Sequence, residues 1–193
     1  MITFKAVILA ASCFAALALS MEGSFAAEEA VVNFAGEDPS EDDIIDALTP
    51  KITRGISPGA IGSVAGSVGA SVSKASFDQI VFELNSDRIA PRARGILDKI
   101  GRALQSEELG NLGIVIEGHT DASGAFDYNM RLSTRRAEAV KRYLIENFDV
   151  EAARLQTVGK GPTDLLDKQN PRNGANRRVV FVAKVTNPNH AER

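Results

Sequence analysis

Along residues 76–186, short apolar runs typical of strands alternate with stretches in which apolar residues recur at helical spacing. Together these patterns predict the elements of one domain. Short runs of β-branched and aromatic residues predict four strands, at 80–84, 112–117, 155–158 and 178–183. Apolar residues spaced three and four apart predict two amphipathic helices, at 89–104 and 133–148. The order β-α-β-α-β-β indicates an α/β (α+β) fold, a mixed four-stranded sheet with helices packed on it.

Single residues set the expected helix starts. Pro91 suits the first turn of the first helix, because that turn needs no backbone N–H donor. Ser133 is a natural N-cap for the second helix. Arg136 would then lie in the first turn of that helix, where the positive end of the helix dipole favours an anion.

Residues 1–26 are predicted to be a secretory signal peptide. A basic residue, Lys5, precedes an apolar run of 14 residues from Ala6 to Leu19, and small residues lead up to Ala27. A membrane-spanning helix is the competing interpretation, but the run is shorter than the roughly 18–20 residues that a bilayer requires. Nothing after Ala27 is apolar enough to span a membrane as a helix, so we expect a secreted mature chain.

Cys13 is the only cysteine of the chain. If the signal peptide is removed, no disulfide framework remains. The residues around Cys13 faintly resemble a lipoprotein processing site, which leaves lipidation open. We favour a plain signal-peptide cysteine, because the apolar run continues past it and it lies very early in the chain.

Residues 27–75 are predicted to be a flexible segment. Residues 28–53 carry eight acids and one base, for a net charge of −7, and 55–76 are rich in Gly and Ser. Between them, residues 42–50 can form one or two helical turns with Ile44, Ile45 and Leu48 on one face. This could be a transient helix in a tail, or a docking motif for a partner or for the domain itself. We expect residues 187–193 to form a frayed tail.

The charge of the domain excludes one class of partner. Residues 77–193 hold sixteen acids and eighteen bases, for a net charge of +2. Without a basic stripe there is no electrostatic footprint for nucleic acid. The hydrophobic content of 44% and charged content of 24% are those of a globular protein.

The candidate chemistry centres on one acid and one arginine. Asp121 follows an apolar strand, where ligands of α/β sheets gather, and its carboxylate can bind an ammonium group. Arg136 can hold a carboxylate through two parallel hydrogen bonds. Together they can bind a small zwitterion by both ends. The alternatives are a turn or capping aspartate and a solvated helix face, and Asn129 could bond the ligand or pin its loop.

Catalytic and metal chemistry find little support in these residues. Ser123, His119 and Asp121 crowd into five residues, and no nucleophile elbow accompanies them. One histidine within the domain is inadequate for a zinc site, and no glycine-rich loop precedes a helix to cradle phosphate. We therefore expect no enzyme activity, no metal and no cofactor. Arg177 and Arg178 open the last strand and point to opposite faces, so at most one should reach Asp121.

These motifs, taken together and in order, resemble the OmpA-like peptidoglycan-binding family, over about residues 80–182. The matching positions are Ile80-x-Phe82 with Asn85-Ser86, Gly118-His119-Thr120-Asp121, Gly124, Asn129, Leu132-Ser133, Arg136-Ala137, Val140, Leu144, Gly159-x-Gly161 and Asn176-Arg177-Arg178-Val179. The chain departs from the commonest pattern at Glu83-Leu84 and at Lys160-Gly161-Pro162, where an aromatic residue is frequent.

The resemblance implies a non-enzymatic protein that binds the peptidoglycan stem peptide. By motif position, Asp121 would pair with the ammonium of the diaminopimelate side chain and Arg136 would hold its carboxylate. The remaining positions implied to line the pocket are Thr120, Gly124, Asn129, Phe82, Asn85 and one of Arg177 and Arg178. His119 would fix the loop.

The resemblance also implies a location in the periplasm, associated with the cell wall or the outer membrane. The N-terminal segment could tether an envelope protein. Two other functions stay open on the sequence alone: an adaptor whose main ligand is a protein, and a peptidoglycan hydrolase.

Overall fold

The computed structural model describes residues 31–50 and 72–185 of the 193-residue chain. The strands are β1 (Val31–Asn33), β2 (Val72–Phe77), β3 (Leu112–His119), β4 (Leu155–Gly161) and β5 (Val179–Val185). The helices are α1 (Glu41–Leu48), α2 (Arg94–Ala103), α3 (Glu107–Gly110) and α4 (Phe126–Phe148). The predicted signal peptide with Cys13, most of the Gly/Ser-rich stretch and the C-terminal tail lie outside the described residues.

The strands form one mixed sheet in the order β1-β2-β5-β3-β4. β1 pairs with β2 and β3 with β4 in parallel, whereas β5 is antiparallel to both of its neighbours. The predicted mixed sheet with packed helices is therefore confirmed. The predicted number of strands is wrong, because the described part of the chain contributes five strands rather than four.

The first predicted strand is also misplaced. Residues 80–84 do not join the sheet, and Phe82 makes only an isolated bridge to Ile89. Asn85 turns the chain back with a φ of 51°, so this β-prone run forms the arm of a loop. The strand that pairs with β5 is β2, which was not predicted from the sequence and which presents Ala75 and Phe77 to the core.

Residues 31–50 belong to the folded domain, which corrects the expectation of a flexible segment up to residue 75. The side chains of Ile44 and Leu48 are fully buried in the main core, and Phe34 stacks on Phe77 with ring centroids 5.2 Å apart. A capping box at Ser40 starts α1. The apolar face of this helix therefore docks on the domain itself.

Ion pairs join the same N-terminal segment to α2. Lys99 Nζ lies 2.6 Å from Asp38 Oδ1, and Arg102 Nε pairs with Glu41. Two of the acidic residues that suggested a solvated tail, Asp38 and Glu41, thus face bases of the domain. These pairs are largely exposed, so burial of the apolar groups contributes more to holding the segment.

α4 begins at Phe126 rather than at Ser133, and this changes two predictions. Ser133 is not an N-cap: it is buried within the helix, where its Oγ donates to Met130 O and accepts from the Gly161 N–H at 2.8 and 2.9 Å. Arg136 lies about three turns from the helix start, too far for the dipole of the first turn to act on its ligand. The helix start was missed because Phe126 and Tyr128 are partly exposed and leave the apolar period unclear.

The helices cover one face of the sheet and bury the main hydrophobic core there. A second, small cluster on the other face contains Val115, Val180 and Val182. α4 approaches β3 and β4 closely, since a Cβ on Gly118 or Gly159 would overlap its backbone or side chains. Within the described ranges, no helix combines the length and apolarity needed to cross a membrane.

Candidate ligand-binding site

The topology brings three separate segments to one edge of the sheet. β3 ends at His119, and β5 runs antiparallel to it, so Gly118 pairs with Val179 at the start of β5. Phe77, the last residue of β2, pairs with the same Val179. The loops that follow β2 and β3 and the chain that leads into β5 therefore meet at this edge.

A bulge shapes the edge further. The register between β3 and β4 shifts after Gly118, so that His119 pairs with Gly161. Gly161 has a φ of +51° and its carbonyl accepts the Thr120 N–H at 3.0 Å. Bulges redirect the chain at strand ends, and this one leads it from the sheet into the Asp121 loop.

One cavity of about 820 Å³ opens at this edge. All nine residues predicted to bind ligand line it: Phe82, Asn85, Thr120, Asp121, Gly124, Asn129, Arg136, Arg177 and Arg178. The structure therefore places the predicted residues together, while their contact with a ligand stays a prediction.

Asp121 is held in the cavity wall by the protein's own donors. Only 8% of the residue is exposed. Its Oδ1 accepts the Ser123 N–H at 2.9 Å, and its Oδ2 accepts from Arg177 Nη1 at 2.7 Å. Burial acts to raise the pKa of Asp121, but the bonds from Arg177 and Ser123 outweigh it and hold the pKa below its usual value. The carboxylate is therefore charged at neutral pH.

Arg136 is fixed by the loop that follows β2. Its Nε donates to Ser86 O at 3.0 Å, and its Cζ lies 4.9 Å from the centroid of the Phe82 ring. Burial lowers the pKa of Arg136 below its ordinary value, but the guanidinium stays cationic at neutral pH. Within the described part of the chain no carboxylate lies at ion-pair distance from it, so its charge is available to an anion in the cavity.

The two arginines before β5 have different partners. Arg177, and not Arg178, reaches Asp121. Arg178 is 93% buried and donates from Nη2 to Asp164 O at 3.2 Å, with the Asp164 carboxylate at 3.7 Å. The Nη1 of Arg178 is buried and has no hydrogen-bond partner among the described residues, so it can donate to a polar ligand atom.

Asn129 and Gly124 shape the loop between β3 and α4. Asn129 is buried, and its Nδ2 donates to Ser123 O at 2.7 Å and to Asp121 O at 3.4 Å. These bonds hold the loop in place, which is one of the two roles predicted for Asn129. Gly124 has a φ of +84°, a conformation that suits glycine. The Oγ1 of Thr120 is buried without a partner in the described structure.

His119 is among the residues around the cavity, and its side chain is fully buried. Its Nδ1 lies 3.2 Å from Asp164 O, and its Nε2 lies 3.7 Å from Glu117 Oε2. The contact with Asp164 ties the loop after β4 to the end of β3, in keeping with the structural role expected of His119. Among the described residues no group of three His, Cys, Asp or Glu side chains could hold a metal ion.

Sequence reasoning missed several residues of the cavity wall. Tyr128 and Leu132 line it from α4, and Asp78 and Arg92 line it from the chain between β2 and α2. Tyr128 and Leu132 were missed because the predicted helix began at residue 133, whereas α4 begins at Phe126. Both residues therefore lay outside the predicted helix. Asp78 and Arg92 carry no sequence signal beyond being charged.

The arrangement places opposite charges at fixed positions in the cavity wall. A carboxylate lies in one part of the cavity wall, and a guanidinium without an internal ion-pair partner lies in another. Buried polar atoms of Arg178 and Thr120 have no partner in the described structure and are available for further hydrogen bonds. Fold and site together define a mixed α+β domain that can bind a small zwitterionic group at the edge of its sheet.

The chain belongs to the OmpA family. The model of that family matches residues 81–178, which is 98 of the 193 residues. The peptidoglycan-associated lipoprotein of Pseudomonas aeruginosa is 33% identical over 148 residues, covering 77% of this chain and 81% of that protein. The family indicated by the sequence motifs is thereby confirmed.

Two further relatives match a smaller part. The outer-membrane lipoprotein YfiB of Pseudomonas aeruginosa is 36% identical over 106 residues, and the match covers 54% of this chain and 61% of YfiB. A solved structure described as a putative MotB-like protein from Desulfovibrio vulgaris has a TM-score of 0.49 and 26% identity, over 63% of this chain and 81% of that one.

Proposed function

We propose that this protein binds peptidoglycan non-covalently and thereby attaches to the bacterial cell wall. The observation that carries the proposal is that Asp121 and Arg136 both lie in the wall of one cavity. Each side chain is ionised at neutral pH. Membership of the OmpA family and the similarity to a peptidoglycan-associated lipoprotein support the choice of polymer.

The group recognised is the diaminopimelate side chain of the stem peptide. That side chain ends in an ammonium and a carboxylate on one carbon. The Asp121 carboxylate receives the ammonium, and the terminal nitrogens of Arg136 receive the carboxylate. The Nη1 of Arg178 and the Oγ1 of Thr120, both buried and without partners in the described structure, supply further polar contacts.

Phe82, Asn85, Asn129 and Gly124 act on this site mainly through its shape. Phe82 supports the Arg136 guanidinium, and Asn129 holds the loop that carries Asp121. Asn85 and Gly124 have positive φ angles of 51° and 84°, in two loops that line the cavity. Preorganisation of this kind lowers the entropic cost of binding.

We further propose that the protein acts in the periplasm by binding rather than catalysis. The names of its relatives place them at the outer membrane or on peptidoglycan, and the predicted signal peptide fits export. A contact with an envelope protein would use a surface other than the apolar face of α1, since Ile44 and Leu48 are buried in the domain.

Co-sedimentation with purified sacculi tests the proposal. The wild-type chain should pellet with sacculi, whereas Asp121→Ala and Arg136→Ala should each weaken binding by about 30-fold or more, because each leaves one ligand charge unpaired. Glu138→Ala and Arg142→Ala are the matched controls, since both residues are exposed on α4 outside the cavity. Equal pelleting of all five proteins would overturn the site.

A second readout of the same incubation addresses catalysis. Muropeptides in the supernatant are measured after incubation with sacculi. Their level should stay at that of buffer alone, and their release by the wild type but not by Asp121→Ala would contradict a purely binding role.

A further inference from the structure

Arg177 has a distinctive position among the arginines of the cavity. Its Nη1 lies 2.7 Å from Asp121 Oδ2, the oxygen of the acid that Ser123 does not engage. In the free protein, an internal cation therefore occupies the group that the proposed function assigns to the ammonium of the ligand.

The two arginines that flank Asp121 are held in different ways. Arg136 is anchored by the Ser86 carbonyl and the Phe82 ring, neither of which a ligand needs to displace. The side chain of Arg177 is 54% exposed, and its described polar contact is the bond to Asp121 itself. Arg177 can leave the acid without unpacking the core, whereas Arg136 is fixed.

The main chain of Arg177 is held independently of its side chain. Its guanidinium lies over Gly174, where an added Cβ would come within 3.0 Å of Nη2. Its backbone N–H is fixed by Gly174 O at 2.9 Å, so the side chain can rotate while the main chain stays in place. Arg178, by contrast, is buried and tied to Asp164.

We propose that Arg177 is an exchangeable cation that pairs with Asp121 in the free protein and moves to the carboxylate of the ligand when an ammonium takes its place. The inference rests on the proposed function and deepens it. Two cations on one carboxylate repel each other, so an entering ammonium displaces Arg177. The displaced guanidinium regains a partner only if the ligand brings a carboxylate beside its ammonium.

Arg177 is thereby a specificity-determining residue. A stem peptide with diaminopimelate offers both groups and accepts Arg177 on its carboxylate. A stem peptide with lysine at the same position offers the ammonium alone and leaves Arg177 without a partner. The exchange therefore makes binding of the lysine peptide weaker than binding of the diaminopimelate peptide. The discrimination comes from the guanidinium that the lysine peptide leaves without a partner.

Calorimetric titration of the purified full chain with the two stem peptides tests the exchange. In Arg177→Gln, binding of the lysine peptide should strengthen by about fivefold or more, because the competing charge is gone. Binding of the diaminopimelate peptide should weaken, so the ratio of the two affinities should fall by about tenfold or more. Arg142→Gln is the matched control and should keep the wild-type ratio.

Three outcomes overturn the inference. If Arg177→Gln weakens binding of the diaminopimelate peptide and leaves binding of the lysine peptide unchanged, Arg177 contacts the ligand but does not compete with its ammonium. If both affinities stay at the wild-type value, Arg177 has no part in binding. If the wild type binds neither peptide and behaves as Asp121→Ala does, both the exchange and the proposed function are wrong.

A measurement without ligand separates these failures. The pKa of the Asp121 carboxyl, followed by NMR in the free protein, should rise in Arg177→Gln relative to the wild type, because a donor to the charged form is removed. An unchanged pKa would show that the pair does not form in solution, which overturns the exchange whatever the protein binds.

Discussion

Asp121 and Ser133 illustrate how single side chains determine this site. Asp121 receives an N–H from its own loop and a guanidinium from the chain before β5. Ser133, two turns inside α4, reaches across to the Gly161 N–H at the bulge of β4. One residue carries the charge of the site, and the other fixes the backbone that positions it.

Substitution of Ser133 should therefore destabilise the domain although the residue touches no ligand. In Ser133→Ala the buried N–H of Gly161 loses its acceptor, which costs about 1–3 kcal/mol. Urea unfolding followed by circular dichroism measures the change. Unfolding at the same urea concentration as the wild type would show that the bond contributes nothing.

Acid should remove the stabilising effect of Asp121. Its pKa in the folded protein lies below the ordinary value, so it stabilises the fold above the pKa of the unfolded chain, about 3.9. That contribution is lost as the pH falls through the folded pKa. The stability difference between the wild type and Asp121→Asn should shrink as the pH falls from 7 towards 2, whereas a constant difference would contradict the assignment.

The sequence identified nine of the residues that line the cavity, because their chemistry follows from residue type and from the family motifs. It could not decide which of Arg177 and Arg178 reaches Asp121, because neighbouring residues of a strand point to opposite faces and the sequence does not show which face is which. The short helical turn Gly174–Asn176 and the antiparallel start of β5 decide that question, and both depend on tertiary pairing.

At the scale of elements, the position of α4 on the sheet depends on two glycines. Gly118 of β3 lies against the backbone of Ser133, and Gly159 of β4 lies against Ser133 and Thr134. No side chain separates the helix from the strands at these points. The close approach sets the distance between α4, which carries Arg136, and the strand end that carries Asp121.

Gly118→Ala should destabilise the domain by about 1–3 kcal/mol or more, because the new methyl group would overlap backbone that cannot move freely. Gly95→Ala is the matched control. Gly95 is exposed on α2 with open space around it, so alanine there should stabilise the domain by about 0.5–1 kcal/mol. Thermal unfolding distinguishes the two, and equal effects would contradict the close approach.

Elements were predicted well where their hydrophobic period is strong. α2, β3, β4 and β5 lie close to where the pattern placed them. The run at 80–84 was misassigned because β propensity describes a half-buried surface, which the arm of a loop can also provide. The strand that joins the sheet before α2 is β2, whose pairing with β5 is not visible in local sequence.

At the scale of the molecule, the N-terminal segment is part of the domain. Phe34, Ile44 and Leu48 are buried in the same core as the strands that carry the site. Burial of each such side chain contributes about 1.5–3 kcal/mol. The acidic composition concealed this, because the few apolar residues of the segment are spread over its length.

A fragment that begins at residue 76 should consequently fail to fold cooperatively, since it lacks β1, α1 and most of β2. A fragment from residue 27 onward retains every described element and should unfold in one sharp transition. Thermal unfolding of the two fragments, followed by circular dichroism, tests this. A sharp transition for the shorter fragment would contradict the role assigned to the N-terminal segment.

The most direct test of the zwitterion site changes the ligand rather than the protein. The wild-type chain is titrated calorimetrically with the diaminopimelate stem peptide, with the same peptide amidated at the side-chain carboxyl, and with the peptide acetylated at the side-chain amine. The account predicts that each modification weakens binding by about 30-fold or more, because each removes one of the two complementary charges. Equal binding of all three peptides would contradict recognition by Asp121 and Arg136.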